Sequence, residues 1–472
     1  MEKLNEILVA IDDIVWGVPL IVLIMACGLV LTIRGRGLQF RHLGKALKFM
    51  VKNEKGGEGE VSSFGALCTA LSATIGTGNI VGVATAIAVG GPGALFWMIV
   101  AALLGMATKY AEGFLAIKYR TVDAEGHYLG GPFYYIEKGM GPKWKWLAKL
   151  FAIFGILAGL LGIGTITQVN GITSAANNFF TSGTALTIAG NDISWATVIA
   201  GLIVTVLAAL VIIGGIKRIS SVSQVVVPFM AILYVVFALV LIFTNITKVP
   251  DAVVTIVRDA FGMDAAAGGA LGAMMVAMQK GVARGIFSNE AGLGSAPIAA
   301  AAAKTKDTVR QGLVTMTGTF IDTVIVCTMT GISIVLTGAW DPELGLEGVE
   351  ITTYALQEGL SFLPSKIPAF ILMVCLVFFA FTTILGWSYY SERCLAYLTG
   401  SKKGITTAYR WLYIVAVFIG PYLTVSAVWT IADIFNGLMA LPNIVALLAL
   451  SGVMAKESKA YFKKNKLGAV VE

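Results

Sequence analysis

The chain has 472 residues, of which 57% are apolar and only 13% are charged, and its mean hydropathy is +0.83. A soluble protein of this length needs more charge on its surface, because ordinary soluble domains carry roughly 25% charged residues. The composition therefore excludes a cytosolic globular protein, a disordered protein and a coiled coil, and it predicts a protein whose surface faces lipid.

The first thirteen residues are acidic rather than basic. They contain four carboxylates and a single lysine, unlike the basic start of a cleaved signal peptide, so we expect the first apolar run to be retained as a membrane helix. The five cysteines lie in or beside apolar stretches without metal-ligand spacing, and the two histidines also lack it. The cysteines are therefore predicted to be buried hydrophobic residues.

Eleven stretches are apolar and long enough to cross a bilayer, which requires about 20 residues for a helix. In chain order they cover residues 14–33, 62–89, 91–117, 147–169, 194–216, 221–243, 268–303, 309–337, 367–391, 406–425 and 428–452. The sequence therefore predicts an all-α polytopic membrane protein with about eleven transmembrane helices.

The basic residues are sorted by side. If the N-terminus lies outside, 27 of the 34 Lys and Arg residues fall in cytoplasmic loops and the C-terminal tail, four fall outside and three fall within spans. Cytoplasmic loops carry this excess in membrane proteins. We therefore predict an external N-terminus, a cytoplasmic C-terminus and a multi-pass protein of the cell membrane. The net charge of +7 then belongs to the inner leaflet rather than to a nucleic-acid partner.

Two segments between spans have the apolar spacing of a helix. The basic stretch Arg34–Lys55 is predicted to hold an amphipathic helix on the inner leaflet, with a solvated linker as the alternative. The external segment Val349–Leu360 is predicted to form a short amphipathic lid or a re-entrant helix.

Spans two and seven differ from the others. Residues 73–79 (Ala-Thr-Ile-Gly-Thr-Gly-Asn) and 287–297 (Phe-Ser-Asn-Glu-Ala-Gly-Leu-Gly-Ser-Ala-Pro) put glycine, amide and hydroxyl groups at bilayer depth, where they disfavour continuous helix. In lipid, an unwound backbone persists only where it is buried in protein or lines a cavity. A packing seam of small residues is the alternative, but it does not account for Asn79, Asn289 and Glu290.

The two breaks lie five spans apart, in helices that run in opposite directions. Two five-helix units of opposite orientation, each opened by a broken helix, are typical of an inverted-repeat secondary transporter. The predicted domains are an N-terminal helix with a basic linker (1–61), a first repeat broken near 76–78 (62–243), a second repeat broken near 287–294 (244–455) and a basic cytoplasmic tail (456–472).

Several charged side chains fall inside spans. Lys109 and Glu112 are three residues apart, which favours a local ion pair on one helix face. Arg284 and Glu290 flank the second break, where they form either a gate pair or a brace for the unwound backbone. Intramembrane acids are functional candidates by default, including as proton sites. The sequence identifies no partner for Asp322 or Asp433.

The broken segments also resemble a known family. Residues 72–87 (Ser-Ala-Thr-Ile-Gly-Thr-Gly-Asn-Ile-Val-Gly-Val-Ala-Thr-Ala-Ile) and 90–98 (Gly-Gly-Pro-Gly-Ala-Leu-Phe-Trp-Met) are similar to the alanine or glycine:cation symporter family. Residues 130–136 (Gly-Gly-Pro-Phe-Tyr-Tyr-Ile) and 287–297 resemble the same family, and the resemblance covers nearly the whole chain. One departure is Ala300, because some members have a histidine shortly after the Ala-Pro step.

The resemblance implies sodium-coupled uptake of alanine or glycine. It also implies the leucine-transporter-type fold of amino acid–polyamine–organocation carriers, a 5+5 inverted repeat of helices 2–6 and 7–11, here with one extra N-terminal helix. This fold agrees with the repeat inferred from the two breaks.

A zwitterionic amino acid at mid-membrane needs partners for both of its charges. We expect the N–H groups of the second half-helix of span two, near Asn79, to hold the carboxylate. Free carbonyls of residues 73–75 and 286–288 are expected to accept the ammonium and coordinate Na⁺, and Gly76 and Gly78 let the substrate approach the backbone. The residues expected to bind substrate are Ala73, Gly76, Thr77, Gly78, Gln168, Asn170, Phe287, Ser288 and Trp387.

Some of these side chains have a second interpretation. The amides of Gln168 and Asn170 contact substrate or bond to neighbouring helices. Trp387 either closes a small pocket over the substrate side chain or anchors its helix at the membrane interface. A pocket with walls this bulky admits only small side chains.

Sodium prefers oxygen ligands, as the alkaline-earth ions do. Thr382 and Thr383 on span nine resemble the principal sodium site of leucine-transporter-type carriers, whereas the alternative is that both hydroxyls bond to their own helix. Asn79 is either a ligand of a second sodium site or a cap of its half-helix. The residues expected to bind Na⁺ are Ser72, Ile75, Asn79, Phe379, Thr382 and Thr383, and the gate or network candidates are Arg284, Asn289, Glu290 and Asp322.

Other function classes fit the sequence less well. A channel normally shows a repeated filter or a charged ring, and none is evident in the sequence. An intramembrane enzyme or a pump needs a metal cluster, a nucleophile with its base or a phosphate loop, and the sequence shows none of these motifs either. We therefore predict a symporter rather than an enzyme, with alanine, glycine or both as substrate, Na⁺ as co-transported ion and no organic cofactor. Thr382 and Thr383 favour sodium, while Asp322 keeps proton coupling as the alternative.

Overall fold

The described residues fold as a bundle of α-helices with two short β-hairpins between them. The computed structural model describes residues 2–52, 54, 56–180, 183–188, 191–263, 269–423 and 425–466. In the hairpins, β1 (Thr121–Val122) pairs antiparallel with β2 (Tyr128–Leu129), and β3 (Thr184–Ile188) pairs antiparallel with β4 (Asn191–Ser194).

The first half of the chain forms twelve of the described helices. They are α1 (Glu2–Val15), α2 (Val18–Arg34), α3 (Leu38–Arg41), α4 (Leu43–Val51), α5 (Ser63–Thr74), α6 (Val81–Gly90), α7 (Gly93–Lys118), α8 (Pro132–Tyr134), α9 (Lys145–Leu161), α10 (Ile166–Phe179), α11 (Trp195–Ile212) and α12 (Gly215–Thr244). Three irregular helical stretches lie between them, a 3₁₀ turn at Thr77–Asn79, a π-helix at Tyr135–Met140 and a 3₁₀ turn at Pro142–Trp144.

The second half forms nine further described helices. They are α13 (Val249–Ala260), α14 (Ala270–Asn289), α15 (Ala296–Ala300), α16 (Thr308–Thr319), α17 (Thr328–Thr337), α18 (Val349–Gly359), α19 (Lys366–Thr399), α20 (Lys403–Ile419) and α21 (Val425–Lys466). A π-helix, Phe320–Cys327, joins α16 to α17, and 3₁₀ turns lie at Ile246–Lys248, Pro342–Leu344 and Gly420–Tyr422.

Among the described residues, eight helices are long and apolar enough to cross a membrane. They are Glu6–Arg34, Gly93–Lys118, Pro142–Phe179, Trp195–Ile212, Gly215–Thr244, Thr308–Thr337, Lys366–Thr399 and Thr430–Lys464. The other three predicted spans coincide with the α5 and α6 pair, with α14 and with the 17-residue α20. The predicted helices between spans are present as α4 and α18.

The first predicted break is present between α5 and α6. Ser62 caps the start of α5 by accepting a hydrogen bond from the Gly65 N–H at 2.9 Å. The helix ends because Ile75 and Gly76 are both extended, with φ values of −76° and −140°. A 3₁₀ turn follows, and helix resumes at Val81.

The second predicted break lies between α14 and α15. The backbone turns left-handed at Glu290, with φ of 56°, and again at Gly292 and Gly294, with φ of 95° and 80°. Only glycine adopts such angles readily, so these two glycines let the chain unwind. Helix resumes at Ala296, with Pro297 in its first turn, where its missing N–H has no intrahelical partner to lose.

Two further irregularities fall inside predicted spans. Span four is interrupted between α9 and α10, around Gly162 and Gly164. Span eight contains the π-helix Phe320–Cys327, which carries Asp322. π-Helices often occur at functional sites, because their wider turn re-aims side chains.

The helices that surround the breaks pack in two sets. In the broken-helix set (α5–α7 and α14–α16), α7 lies along α14 and α16, and α6 packs on α14. In the scaffold set (α9, α10 and α19–α21), α19 packs on α9 and α10, while α21 packs on α9. Both breaks belong to the first set, and α10 and α19 of the second set lie against them.

Candidate functional site

A hydrogen bond made by Asn79 stabilises the first break from within. Asn79 Oδ1 accepts a hydrogen bond from the Gly76 N–H at 2.9 Å and so closes the 3₁₀ turn that precedes α6. The carbonyl of Ile75 faces the Thr383 hydroxyl of α19 at 3.5 Å. An ideal Cβ on Gly76 would lie 2.6 Å from that hydroxyl oxygen, so only glycine permits this approach. The Thr77 N–H points at Gln168 Oε1 at 3.5 Å, a long contact that leaves it open to another acceptor.

The second break is braced by side chains from three neighbouring helices. Glu112 of α7 accepts hydrogen bonds from the N–H groups of Gly292 at 3.1 Å and Gly294 at 3.2 Å. Asn443 of α21 donates to Glu112 at 2.8 Å and to the Gly292 carbonyl at 2.9 Å. Trp387 of α19 donates its Nε1–H to Glu290 at 2.8 Å. These contacts satisfy an unwound backbone that lipid alone cannot accommodate.

Asp322 connects the two breaks. Its carboxylate accepts hydrogen bonds from Asn79 Nδ2 at 2.8 Å, from the Ser288 hydroxyl at 2.9 Å and from the Thr323 hydroxyl at 2.7 Å. Asn289 donates to the same Thr323 hydroxyl at 3.0 Å. The sequence identified no partner for this carboxylate, whereas the structure places it in contact with both broken helices.

Thr382 and Thr383 bond to their own helix, as the alternative for these residues states. Both hydroxyls donate to the Phe379 carbonyl at 3.0 Å. They differ in their second contact, because Thr383 faces the Ile75 carbonyl of the first break and Thr382 faces Met230 Sδ of α12 at 3.5 Å. The Ser72 hydroxyl donates to Thr69 within its own helix at 2.8 Å. Three oxygens, those of Ile75, Phe379 and Thr383, therefore cluster where α19 meets the first break.

The aromatic and amide side chains predicted to line the site are buried beside the breaks. Trp387 is fully buried, which excludes the role of an interface anchor. Phe287 lies against Gly78, where an ideal Cβ would be 3.3 Å from the ring. Gln168 donates to the Ile163 carbonyl at 3.0 Å, across the interruption in span four. Asn170 is buried, and its Nδ2 has no hydrogen-bond partner in the described part of the chain.

Two predicted charge contacts are wrong. Glu112 and Lys109 do not form an ion pair within the described residues, because Glu112 is engaged by the backbone of the second break, and Lys109 Nζ is buried without a hydrogen-bond partner there. Arg284 does not pair with Glu290 as a gate. Its guanidinium contacts Asp433 at 3.3 Å, whereas Glu290 accepts hydrogen bonds from Trp387 and from Ser295 across the break.

The remaining predicted residues lie at the same place. Gly78 lies against the ring of Phe287 and the Cα and Cβ of Ser288, whose hydroxyl donates to Asp322. Thr77 packs against Gly171 of α10, where an ideal Cβ would lie 2.7 Å from its methyl group. Ala73 lies against Gly386 of α19 in the same way, at 2.7 Å. The two breaks, α10 and α19 thus enclose one buried region.

Cavities lie on both sides of this region. One, of about 320 Å³, lies on the side that carries the basic loops, hereafter the basic side. The other, of about 60 Å³, lies near the N-terminal helix, with Phe287 and Arg284 in its wall. Neither cavity is lined by Ser288 or Trp387, which are both buried.

Comparison with known proteins gives a consistent result. A profile of the sodium:alanine symporter family matches residues 1–472. An uncharacterized transporter of Haemophilus influenzae is 56% identical over 98% of this chain and 97% of its own length. The sodium/alanine symporter AgcS of Methanococcus maripaludis is 45% identical over 96% of this chain and 97% of its own length.

A solved structure has the same fold. The crystal structure of MhsT in complex with L-phenylalanine covers 86% of this chain and 99% of its own, with a TM-score of 0.56 and 13% sequence identity. MhsT is a transporter of the leucine-transporter fold, and at this identity the likeness concerns the fold alone. It confirms the helical membrane fold of leucine-transporter type that the sequence predicts.

Proposed function

We propose that this chain, which belongs to the sodium:alanine symporter family, imports alanine, glycine or both by alternating access. The family makes it a sodium-coupled amino-acid symporter of the cell membrane. Residues 62–243 and 244–455 act as its two repeats, and the buried region between their breaks holds the substrate.

The observation that carries this proposal is the meeting of two unwound segments at one buried place. The substrate carboxylate binds at the start of the second half-helix, where the helix dipole is positive. The Thr77 N–H is available there, because its contact with Gln168 Oε1 is long, at 3.5 Å. The ammonium binds carbonyl groups of the first break, beginning with that of Ala73 at the end of α5. A broken helix offers both kinds of partner without a buried acidic side chain.

The residues that line the buried region limit the size of the substrate. Gly76 and Gly78 bring the backbone within van der Waals distance of Thr383 and Phe287, so the region holds no room for a long side chain. Gln168, Asn170, Ser288 and Trp387 complete the predicted lining. Small neutral amino acids are therefore the substrates that this geometry favours.

Sodium binds at the oxygen cluster where α19 meets the first break. The Thr383 hydroxyl lies 3.5 Å from the carbonyl oxygen of Ile75 and 3.0 Å from that of Phe379, and a hard cation prefers such oxygen ligands. Thr382 shares the Phe379 carbonyl, and Ser72 lies one turn away in α5. These residues form the principal sodium site of the proposal.

A second cation site centres on Asp322. Its carboxylate accepts hydrogen bonds from the Asn79 amide N–H and from the hydroxyls of Ser288 and Thr323, so the groups there that Na⁺ accepts as ligands are the carboxylate and hydroxyl oxygens. A buried carboxylate without a counter-ion is costly, so a cation at this position balances its charge. In the alternative of proton coupling, the same carboxylate carries the proton.

Transport in proteoliposomes tests the proposal. Purified protein should take up labelled alanine only under an inward Na⁺ gradient, and unlabelled glycine should compete. Equal uptake with K⁺ on both sides would refute sodium coupling, and uptake driven by a pH gradient at constant Na⁺ would establish the proton alternative. Uptake that does not saturate with alanine would refute the symporter in favour of a channel.

A further inference from the structure

Lys109 is a buried cation without a hydrogen-bond partner in the described part of the chain. The residue is 2% exposed, and its ammonium carries three N–H donors that no acceptor there satisfies. A buried charge that lacks both hydrogen bonds and a compensating charge is very costly. The surroundings of Lys109 must therefore supply a partner that direct protein contacts do not provide.

The turn of α7 that carries Lys109 faces the second break. Gly105, one turn earlier, lies against this break, because an ideal Cβ there would be 2.9 Å from the Cβ of Ala291. Glu112, about one turn later, accepts hydrogen bonds from both glycine N–H groups of the break. Residues three or four apart lie on one face of a helix, so Lys109 lies on the face that packs against the same unwound segment.

Buried carboxylates surround this position. Glu112, Glu290 and Asp322 are each fully buried, and the positive charge of Lys109 acts on all three. In Glu112, the single oxygen Oε1 accepts the hydrogen bonds from the break and from α21, whereas Oε2 has no partner among the described residues. An unpartnered carboxylate oxygen and an unpartnered ammonium therefore lie on one face of the same helix.

The other two carboxylates have donors of their own. Glu290 accepts one hydrogen bond on each oxygen, from the indole of Trp387 and from the hydroxyl of Ser295. Asp322 accepts hydrogen bonds on both oxygens from neutral amide and hydroxyl groups. Glu112 differs from both, because one of its oxygens still lacks a donor within the described ranges. Glu112 is therefore the carboxylate that matches the unsatisfied ammonium.

We propose that Lys109 is a fixed counter-ion of Glu112, which it neutralises across a bridging water rather than through direct contact. A water with polar partners on both sides satisfies buried groups that do not reach each other. The ammonium then supplies a positive charge that would otherwise have to come from solution, and it lowers by one the number of cations that move with each substrate molecule. The inference rests on the proposed sodium-coupled transport. It leaves Asp322, whose hydrogen-bond donors are neutral, as the carboxylate that takes the transported ion.

The stability of paired variants tests the counter-ion without reference to transport. K109M keeps the length of the side chain but leaves Glu112 without a cation, so the melting temperature of the purified protein should fall. E112Q keeps an oxygen that accepts the existing hydrogen bonds, but it leaves the Lys109 ammonium uncompensated and should also destabilise. The double variant K109M/E112Q should recover at least half of the stability that K109M loses, because a neutral pair replaces two buried charges.

K109M/E290Q is the matched control. Glu290 is also buried near Lys109, but both of its oxygens already accept hydrogen bonds, so neutralising it should not restore stability. Equal recovery in both double variants would overturn the assignment to Glu112. So would the absence of recovery in K109M/E112Q, including failure of that variant to fold.

The number of charges moved is tested in proteoliposomes. The membrane potential at which net alanine uptake stops gives the positive charge that moves with each alanine, a ratio that a merely structural role of Lys109 would not change. K109M should carry about one more charge per alanine than the wild type, and K109M/E112Q should return to the wild-type ratio. Counting radioactive sodium in the same samples tells whether the additional cation is sodium or a proton.

Two results would overturn the proposal. One is an unchanged ratio of charge to alanine in K109M, and the other is a loss of uptake in K109M that E112Q does not restore. Absence of sodium-driven uptake by the wild-type protein would refute only the proposed function, because the melting experiments do not depend on it.

Discussion

Thr383→Val tests the principal sodium site with a nearly isosteric change. The substitution removes the hydroxyl that lies between the Phe379 carbonyl at 3.0 Å and the Ile75 carbonyl at 3.5 Å. Loss of one such oxygen from a buried polar site costs about 1–3 kcal/mol, which corresponds to roughly 5- to 150-fold in affinity. We therefore expect the Na⁺ concentration for half-maximal alanine uptake to rise by at least fivefold.

Thr382→Val is the matched control for that experiment. Its hydroxyl makes the same bond to the Phe379 carbonyl at 3.0 Å, but its second contact is Met230 Sδ and not the first break. Both variants should lose about 1 kcal/mol of stability from the shared intrahelical bond, so their melting temperatures should fall by similar amounts. Only Thr383→Val should show the large shift in sodium dependence. Equal shifts in both variants, or none in Thr383→Val, would refute the assignment.

Three further substitutions probe the contacts around the breaks. Asp322→Asn keeps the shape of the side chain but removes its charge, so we expect uptake to fall at least tenfold in a transport assay while the protein still folds; wild-type rates would exclude a cation at this carboxylate. Trp387→Phe removes the indole N–H that donates to Glu290 at 2.8 Å, so the free energy of unfolding should fall by about 1–3 kcal/mol in a thermal unfolding experiment. An unchanged melting temperature would show that water replaces the indole N–H. Gly59→Ala places a methyl group 2.3 Å from the Ala303 carbonyl oxygen, so it should lower the melting temperature, and an unchanged melting temperature would contradict the close packing.

The two breaks could be predicted because their signal is local. Glycine and polar residues at bilayer depth are rare enough that Gly76, Gly78, Gly292 and Gly294 stand out in an apolar chain. The third interruption has a weaker version of the same signal, since Gly162 and Gly164 flank one isoleucine within span four. It does not predict a break by itself, because two glycines without an amide or a charge also fit a helix-packing seam.

The contacts between distant segments could not be predicted. Asp322 and Asn79 are 243 residues apart, and nothing in either stretch indicates that they meet. The three-residue spacing of Lys109 and Glu112 predicts an ion pair only where no stronger partner competes. In the protein interior, Glu112 accepts hydrogen bonds from Asn443 and from two backbone N–H groups instead. The contacts of Arg120 could not be predicted for the same reason, because it donates to four backbone carbonyls, which leave no trace in a side-chain pattern.

The position of Asp322 has a thermodynamic consequence. One carboxylate receives hydrogen bonds from Asn79 of the first break and from Ser288 of the second, so an ion bound there changes the energy of both segments that hold the substrate. Linkage then requires that the ion raises substrate affinity by the same factor by which substrate raises ion affinity. Titration of the ion with and without substrate, and of substrate with and without the ion, must therefore give the same ratio of dissociation constants. That ratio measures the coupling free energy that the carboxylate provides between the two breaks.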